Sequence, residues 1–226
     1  MSLILHLETA TTVCSVALSF EGKQIALIEE NKGYTHAEHL TLFIEEAMHK
    51  AGKKLNELSA LSVSKGPGSY TGLRIGVATA KGICYGLNIP LIAINSLTSL
   101  AYGARIHHPK NNYYCPMIDA RRMEVYTALY KQENIIIDTE ARILNSNSYS
   151  EILQDYKVLF LGDGALKFKE LCHHENAQFD LNLKPSAAFM VELAYKKFLR
   201  KEFEDLAYFE PFYLKEFYTP EPKLKA

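Results

Sequence analysis

The segment Glu8-Thr9-Ala10-Thr11-Thr12 sets a carboxylate beside three hydroxyls at the end of a short apolar run. That grouping suits phosphate met through magnesium, because a carboxylate holds the hard cation through oxygen. Glu8, Thr9 and Thr11 are therefore candidate nucleotide or phosphate contacts, with a ligand-free threonine-rich turn as the alternative. A second unusual segment is Lys65-Gly66-Pro67-Gly68-Ser69-Tyr70-Thr71-Gly72-Leu73-Arg74-Ile75-Gly76. Its glycines and proline, between a strand pattern and a helix pattern, expose backbone amides where a helix N-terminus could receive an anion. No Gly-Lys-Ser/Thr ends the loop, so it is not a Walker phosphate loop. A third is Asp119-Ala120-Arg121-Arg122-Met123-Glu124-Val125-Tyr126, whose arginines either meet a phosphate or acidic partner or pair with Asp119 and Glu124. His36-x-x-His39 could give two metal ligands from one helix, but no third ligand accompanies it and there is no H-E-x-x-H. Surface or capping histidines are the expectation there. No G-x-S-x-G elbow supplies a serine nucleophile.

These segments need elements to hold them. Apolar runs at 3–7, 13–20 and 24–28, with Glu21-Gly22 between the last two, read as three strands in a meander. Thr35-x-x-Glu38 has the form of a capping box, and Leu40, Phe43, Ile44, Ala47, Met48 and Ala51 recur at helical spacing up to Gly52. A strand at 58–64, a helix at 71–87, a strand at 90–94 and a helix at 96–105 follow. The order then restarts with strands at 114–118, 124–130 and 134–137. A short helix at 149–154, a strand at 158–161, and helices at 164–172 and 186–201 complete it. Two α/β lobes, 1–105 and 106–218, are expected, with an aromatic segment at 209–214 able to dock on one of them. Residues 219–226 are expected to fray.

The helix at 71–87 carries Gly72, Gly76 and Ala80 in steps of four, and Gly82 and Gly86 likewise. Interior glycine costs up to ~1 kcal/mol each, so the row needs a packing reason, within the chain or against a partner.

The chain has 226 residues, 48% of them hydrophobic, and a formal net charge of -1. That supports a substantial core and counts against a stand-alone nucleic-acid binder, which would present a basic surplus. The N-terminus lacks a signal-peptide pattern and no apolar run is long enough to span a membrane. Cys14, Cys84, Cys115 and Cys172 form no C-x-x-C pair, which suits buried thiols in a reducing cytoplasm.

The hairpin from Ile4 to Leu18, the stretch His36-Ala37-Glu38-His39-Leu40, the glycine loop 66–76 and the turn 119–126 stand in one order. In that order they resemble the TsaB (YeaZ) family, the dimerisation subunits of the bacterial tRNA threonylcarbamoyladenosine machinery. The resemblance runs to about Leu214. It implies two ribonuclease-H-like lobes of the actin/sugar-kinase/Hsp70 superfamily and no transfer activity in the chain itself. It implies as partners the catalytic subunit TsaD and the ATPase TsaE, with tRNA met only through the complex, a homodimer when alone, and no membrane. ATP and magnesium are then expected in the complex rather than on this chain. The catalytic sister family has a His-x-x-x-His metal pair just after an asparagine. The matching stretch here is Asn95-Ser96-Leu97-Thr98-Ser99-Leu100, with Ser96 and Leu100 at the histidine positions, and leucine cannot ligate a metal. Glu8 stands where nucleotide-binding relatives carry aspartate. The expected partner face comprises His36, His39, Leu40, Phe43, Gly72, Arg74, Gly76 and Ala80. A small ATPase or kinase of the same superfamily, using Glu8 and Thr9, is the rival expectation.

Overall fold

Leu3, Leu5 and Leu7 alternate with Ile4, His6 and Glu8 in β1 (Leu3–Glu8), and all six are buried. A strand buried on both faces belongs in the middle of a covered sheet. In the computed structural model, which describes residues 1–31 and 36–215, β1 pairs antiparallel with β2 (Cys14–Phe20) and parallel with β4 (Ala60–Gly66). The side chains of His36 and Ala37 lie outside the described residues, as do Thr35 of the expected capping box and the tail 219–226. β2 turns into β3 (Lys23–Glu30) through Glu21 and Gly22, both with positive φ, the conformation tight hairpins use. α1 (His36–Lys50) leads to β4, α2 (Tyr70–Leu87) to β5 (Leu91–Asn95), and the sheet order is β3-β2-β1-β4-β5.

The second half repeats this order. β6 (Tyr113–Asp119), β7 (Glu124–Lys131) and β8 (Asn134–Ile143) form an antiparallel meander. β9 (Val158–Leu161) and β10 (Ala177–Asp180) add parallel strands beside β6. Read from β8, the sheet runs β8-β7-β6-β9-β10, strand for strand the counterpart of the first. α4 (Ser150–Asp155) and α5 (Ala165–Leu171) take the places of α1 and α2. β10 is not legible in the sequence: Ala177-Gln178-Phe179-Asp180 is short and mixed, and parallel pairing with β9 defines it. The single helix expected over 186–201 is instead a 3-10 turn (Ala187–Met190) followed by α6 (Val191–Arg200). Ser186 caps the turn, its Oγ accepting from Ala188 N–H at 3.2 Å.

Each sheet is covered on one face by its own unit and on the other by a helix of the other unit. On the outer face of the first sheet, Leu5, Leu7, Val16 and Leu18 pack with Leu40, Ile44 and Met48 of α1 and Val77 and Cys84 of α2. Its inner face, Ile4, Ile92 and Ile94, packs against Met190 and Ala194. The second sheet buries Met117, Leu129 and Phe160 with Leu153 of α4 and Phe168 of α5. Its other face, Tyr114, Ile118, Ala128 and Tyr130, is covered by Leu97, Leu100, Ala101 and Ala104 of α3 (Ser96–His107). α3 thus belongs to the first unit by sequence and to the second sheet by packing, and α6 does the reverse.

This exchange makes unfolding of the two units mutually dependent. Leu100 is fully buried on the second sheet. Leu100→Ala is expected to lower stability by ~2–5 kcal/mol, the cost of a core cavity, with one transition retained in urea. Two resolved transitions would show that the units fold independently.

Candidate functional site

The turn after β1 is closed. Glu8 and Thr9 are fully buried and Thr11 nearly so. The Glu8 carboxylate accepts from Ala10 N–H at 2.7 Å through Oε1, while Oε2 and the Thr9 hydroxyl have no hydrogen-bond partner. Thr9 N–H donates to Ser64 Oγ at 3.2 Å, and Val13 N–H to Thr11 Oγ1 at 3.3 Å. What seals the turn is the glycine segment. Ser69 N–H donates to Ala10 O at 2.7 Å, and a Cβ on Gly68 would collide with that same carbonyl. Nearly two turns into α2, a Cβ on Gly76 would collide with the Thr9 hydroxyl. The loop that could have offered amides to an anion instead packs on the first hairpin. Ser69 itself caps α2, accepting from Gly72 N–H at 3.3 Å.

Burial pushes the Glu8 carboxyl from an ordinary 4.5 up to about 7, against the downward pull of hydrogen bonds from Ala10, Ser64 and Thr9. Two residues earlier on the same strand face, His6 is held between Ser62 Oγ and Ser19 Oγ, each at 2.7 Å. Burial pushes its imidazole from 6.5 down to about 3. Burial thus favours the neutral form of both groups.

The position equivalent to the sister family's metal pair is packed with core. Asn95 caps α3, its Oδ1 accepting from Leu97 N–H and Thr98 N–H at 2.9 and 3.1 Å. Its Nδ2 donates to Thr139 Oγ1 at 3.1 Å. Ser96 is buried and Leu100 lies against the second sheet. Among the described residues no group of three His, Cys, Asp or Glu side chains could hold a metal. In the turn between β6 and β7 the acids are occupied by lysines. Lys167 Nζ bonds Asp119 Oδ1 at 2.7 Å and Lys215 pairs with Glu124, so Arg121 and Arg122 stay exposed at positive φ.

The expected partner face divides in two. Leu40, Gly72, Gly76 and Ala80 point into the chain's own core. His39 is partly exposed, 3.2 Å from Glu30 Oε2, with its ring edge-on to a half-buried Phe43. Arg74 is exposed and lies over the Tyr70 ring, donating to its hydroxyl at 3.1 Å. His36 starts α1, and its side chain lies outside the described residues. The row of small residues on the open side of α2 is a different one: Ala78, Gly82 and Gly86 are exposed, beside Tyr85 at 84% exposure and, on α1, Leu42 at 59%. A Cβ on Gly82 or Gly86 would meet nothing within 4 Å. The signal for this row was the same spacing of four. Only the phase of the helix, fixed by burial, separates the two rows.

Two tests follow from this geometry. Gly76→Ala is expected to destabilise the chain by ~1–3 kcal/mol through overpacking against Thr9. Gly82→Ala is expected to stabilise it by up to ~1 kcal/mol through helix propensity. Thermal midpoints moving the same way in both would contradict the assigned phase. The second test is pH. His6 is neutral in the fold yet protonated in the unfolded chain between about 3 and 6.5, so stability falls as pH drops through that window. Glu8 is protonated in the fold yet ionised in the unfolded chain between 4.5 and about 7, so stability falls as pH rises through it. Glu8→Gln removes the second slope, so its urea midpoint should gain on wild type between about pH 5 and about pH 8. A difference that does not change with pH would mean Glu8 is not buried as a neutral acid.

Over most of its length the chain is similar to known proteins. Residues 28–221 match the family model TsaD, tRNA N6-adenosine threonylcarbamoyltransferase. The tRNA threonylcarbamoyladenosine biosynthesis protein TsaB of Haemophilus influenzae is 31% identical over 94% of this chain and 93% of its own. The structure of YeaZ from Pseudomonas aeruginosa superposes with a TM-score of 0.82 at 28% identity, covering 95% of this chain and all of that one. An activator of 2-hydroxyisocaproyl-CoA dehydratase from Clostridium difficile, solved with ADPNP, shares the fold at a TM-score of 0.52 and 9% identity, over 90% and 98% of the two chains. With its duplicated five-stranded sheet order and a first hairpin sealed by its own glycine loop, the chain belongs to the TsaB (YeaZ) family of tRNA threonylcarbamoyladenosine biosynthesis proteins.

Proposed function

We propose that this chain is a non-catalytic scaffold that binds and supports its catalytic relative TsaD in N6-threonylcarbamoyladenosine synthesis on tRNA, through the exposed face of α1 and α2. The observation that carries the reading is Gly82. It sits in the interior of an eighteen-residue helix, exposed and without a neighbour. Glycine there weakens the isolated helix by ~1 kcal/mol relative to alanine, a cost that a closely approaching partner helix would offset. Leu42 of α1 and Tyr85 of α2 are exposed large apolar side chains, as a buried contact would use. His39, Phe43 and Arg74 complete the proposed contact. Two related chains meeting through equivalent helices would form a pseudo-symmetric pair, and two copies of this chain could use the same face when alone. TsaE and tRNA then join the complex and not this subunit by itself, in keeping with its near-neutral charge.

The rival reading, a small ATPase or kinase, needs Glu8 and Thr9 at an open phosphate site. Their complete burial under Ser69 and Gly76 counts against it.

The experiment is to mix the purified chain with TsaD from its own organism and follow complex formation by light scattering, with and without ATP. Wild type should form a defined hetero-complex. Gly82→Leu should remain folded and lose at least ~tenfold in affinity, since clashes at a packed interface core cost over ~1.4 kcal/mol. A folded Gly82→Leu that binds as wild type does would sink the proposed face.

A further inference from the structure

The last described stretch of chain, 201–215, touches both units. Glu204 N–H donates to Leu91 O at 2.9 Å as a bridge on the edge of the first sheet. Phe209 is buried in the core under α2, and Lys81 Nζ binds the carbonyls of Ala207 and Phe209 at 3.3 and 3.0 Å. Phe212 N–H donates to Lys65 O at 2.7 Å, and its own carbonyl lies where a Cβ on Gly66 would come within 2.8 Å. That close approach gives Gly66, at φ +107, a reason to be glycine that the first hairpin does not supply. The Tyr213 ring lies 4.9 Å from that of Tyr70 at the start of α2. Two residues on, Lys215 pairs with Glu124 at the far side, on the turn between β6 and β7.

We propose that residues 204–215 are a releasable strap that ties the glycine loop of the first lobe to the β6–β7 turn of the second. The two ends differ in strength. Phe209 is anchored by burial, whereas the Lys215–Glu124 pair has a half-exposed lysine, at 49%, against a glutamate at 15%. A pair of that kind contributes little and is screened by salt, so it is the end that opens. When it opens, the turn bearing Arg121 and Arg122 is freed from the loop that seals Glu8 and Thr9. The strap also walls a groove of about 400 Å³ with Ala78 and Lys81 of α2, so its state is readable from the proposed partner face. This last coupling rests on the partner reading above.

The test uses hydrogen exchange on the purified full chain. Lys215→Glu should speed exchange about two- to fivefold in residues 65–72 and 119–126 together, the range set by losing an exposed pair. Adding Glu124→Lys should restore both. Faster exchange confined to residues 209–215, no change at all, or no restoration by the double exchange would each overturn the strap. In a second arm, TsaD is titrated into wild type and Lys215→Glu. By linkage an unlatched strap must alter TsaD affinity if TsaD binding alters the strap. Equal affinities would overturn the coupling to the partner face. If wild type binds no TsaD, the partner reading fails, and the exchange arm still decides the strap.

Discussion

Each sheet in this chain has an apolar face that its own unit leaves bare, and the helix that covers it comes from the other unit. α3 leaves β5 and buries Leu97, Leu100 and Ala104 against Tyr114, Ile118 and Leu161. The 3-10 turn and α6 come back across to lay Met190 and Ala194 on Ile4, Ile92 and Ile94. Neither half could be excised without exposing a full sheet face to water, at ~25 cal/mol for every Å². The crossing is tight: a Cβ on Gly103 of α3 would collide with the ring of Phe189, in the 3-10 turn before α6. The two sheets are therefore one cooperative body, and a boundary drawn through 106–113 divides the sequence more cleanly than it divides the packing.

This dependence bears on the positions to which the family resemblance points for chemistry. The same α3 that closes the second sheet would carry the metal pair of the catalytic sister family. Here its two positions are Ser96 and a fully buried Leu100, and the core has claimed them. At the first hairpin the change is one of access. Glu8 and Thr9 keep polar side chains, but Gly76 and the Ser69–Ala10 hydrogen bond press the loop onto them. Burial pushes the Glu8 carboxyl up to about 7, and the hydroxyl of the next residue, Thr9, has no hydrogen-bond partner. On the same strand face, burial likewise pushes His6 toward its neutral form.

Much of this was legible in the residues. The meanders at 3–28 and 114–137 announced themselves by alternation and by the Glu21-Gly22 turn, and the element order alone pointed to a duplicated α/β architecture. β10 was not legible, because four mixed residues gain their strand character only by lying beside β9. The break before α6 was hidden for a related reason. The 3-10 turn, capped by Ser186, runs straight into the α-helix, and the residue types do not mark where one gives way to the other. At the candidate site the chemical types were readable and the accessibilities were not. Nothing in Glu8-Thr9 tells that a loop sixty residues away will cover it.

The glycines of α2 show most clearly what sequence spacing can and cannot carry. Steps of four occur twice, at Gly72, Gly76 and Ala80 and at Gly82 and Gly86, and spacing treats the two rows alike. In the fold they lie on opposite sides of the helix. The inner row is explained within the chain, since Gly76 makes room for Thr9 and Ala80 sits in the core. The outer row has no such explanation, for nothing lies within 4 Å of where a Cβ on Gly82 or Gly86 would be. Each outer glycine weakens the lone helix by ~1 kcal/mol in a fold whose whole margin is ~5–15 kcal/mol. A sequence that keeps two of them, next to an exposed Tyr85, forgoes stability in the free chain. On the proposed partner face the compensation would come from outside it, with a second backbone packed as closely on this side of α2 as Thr9 is on the other.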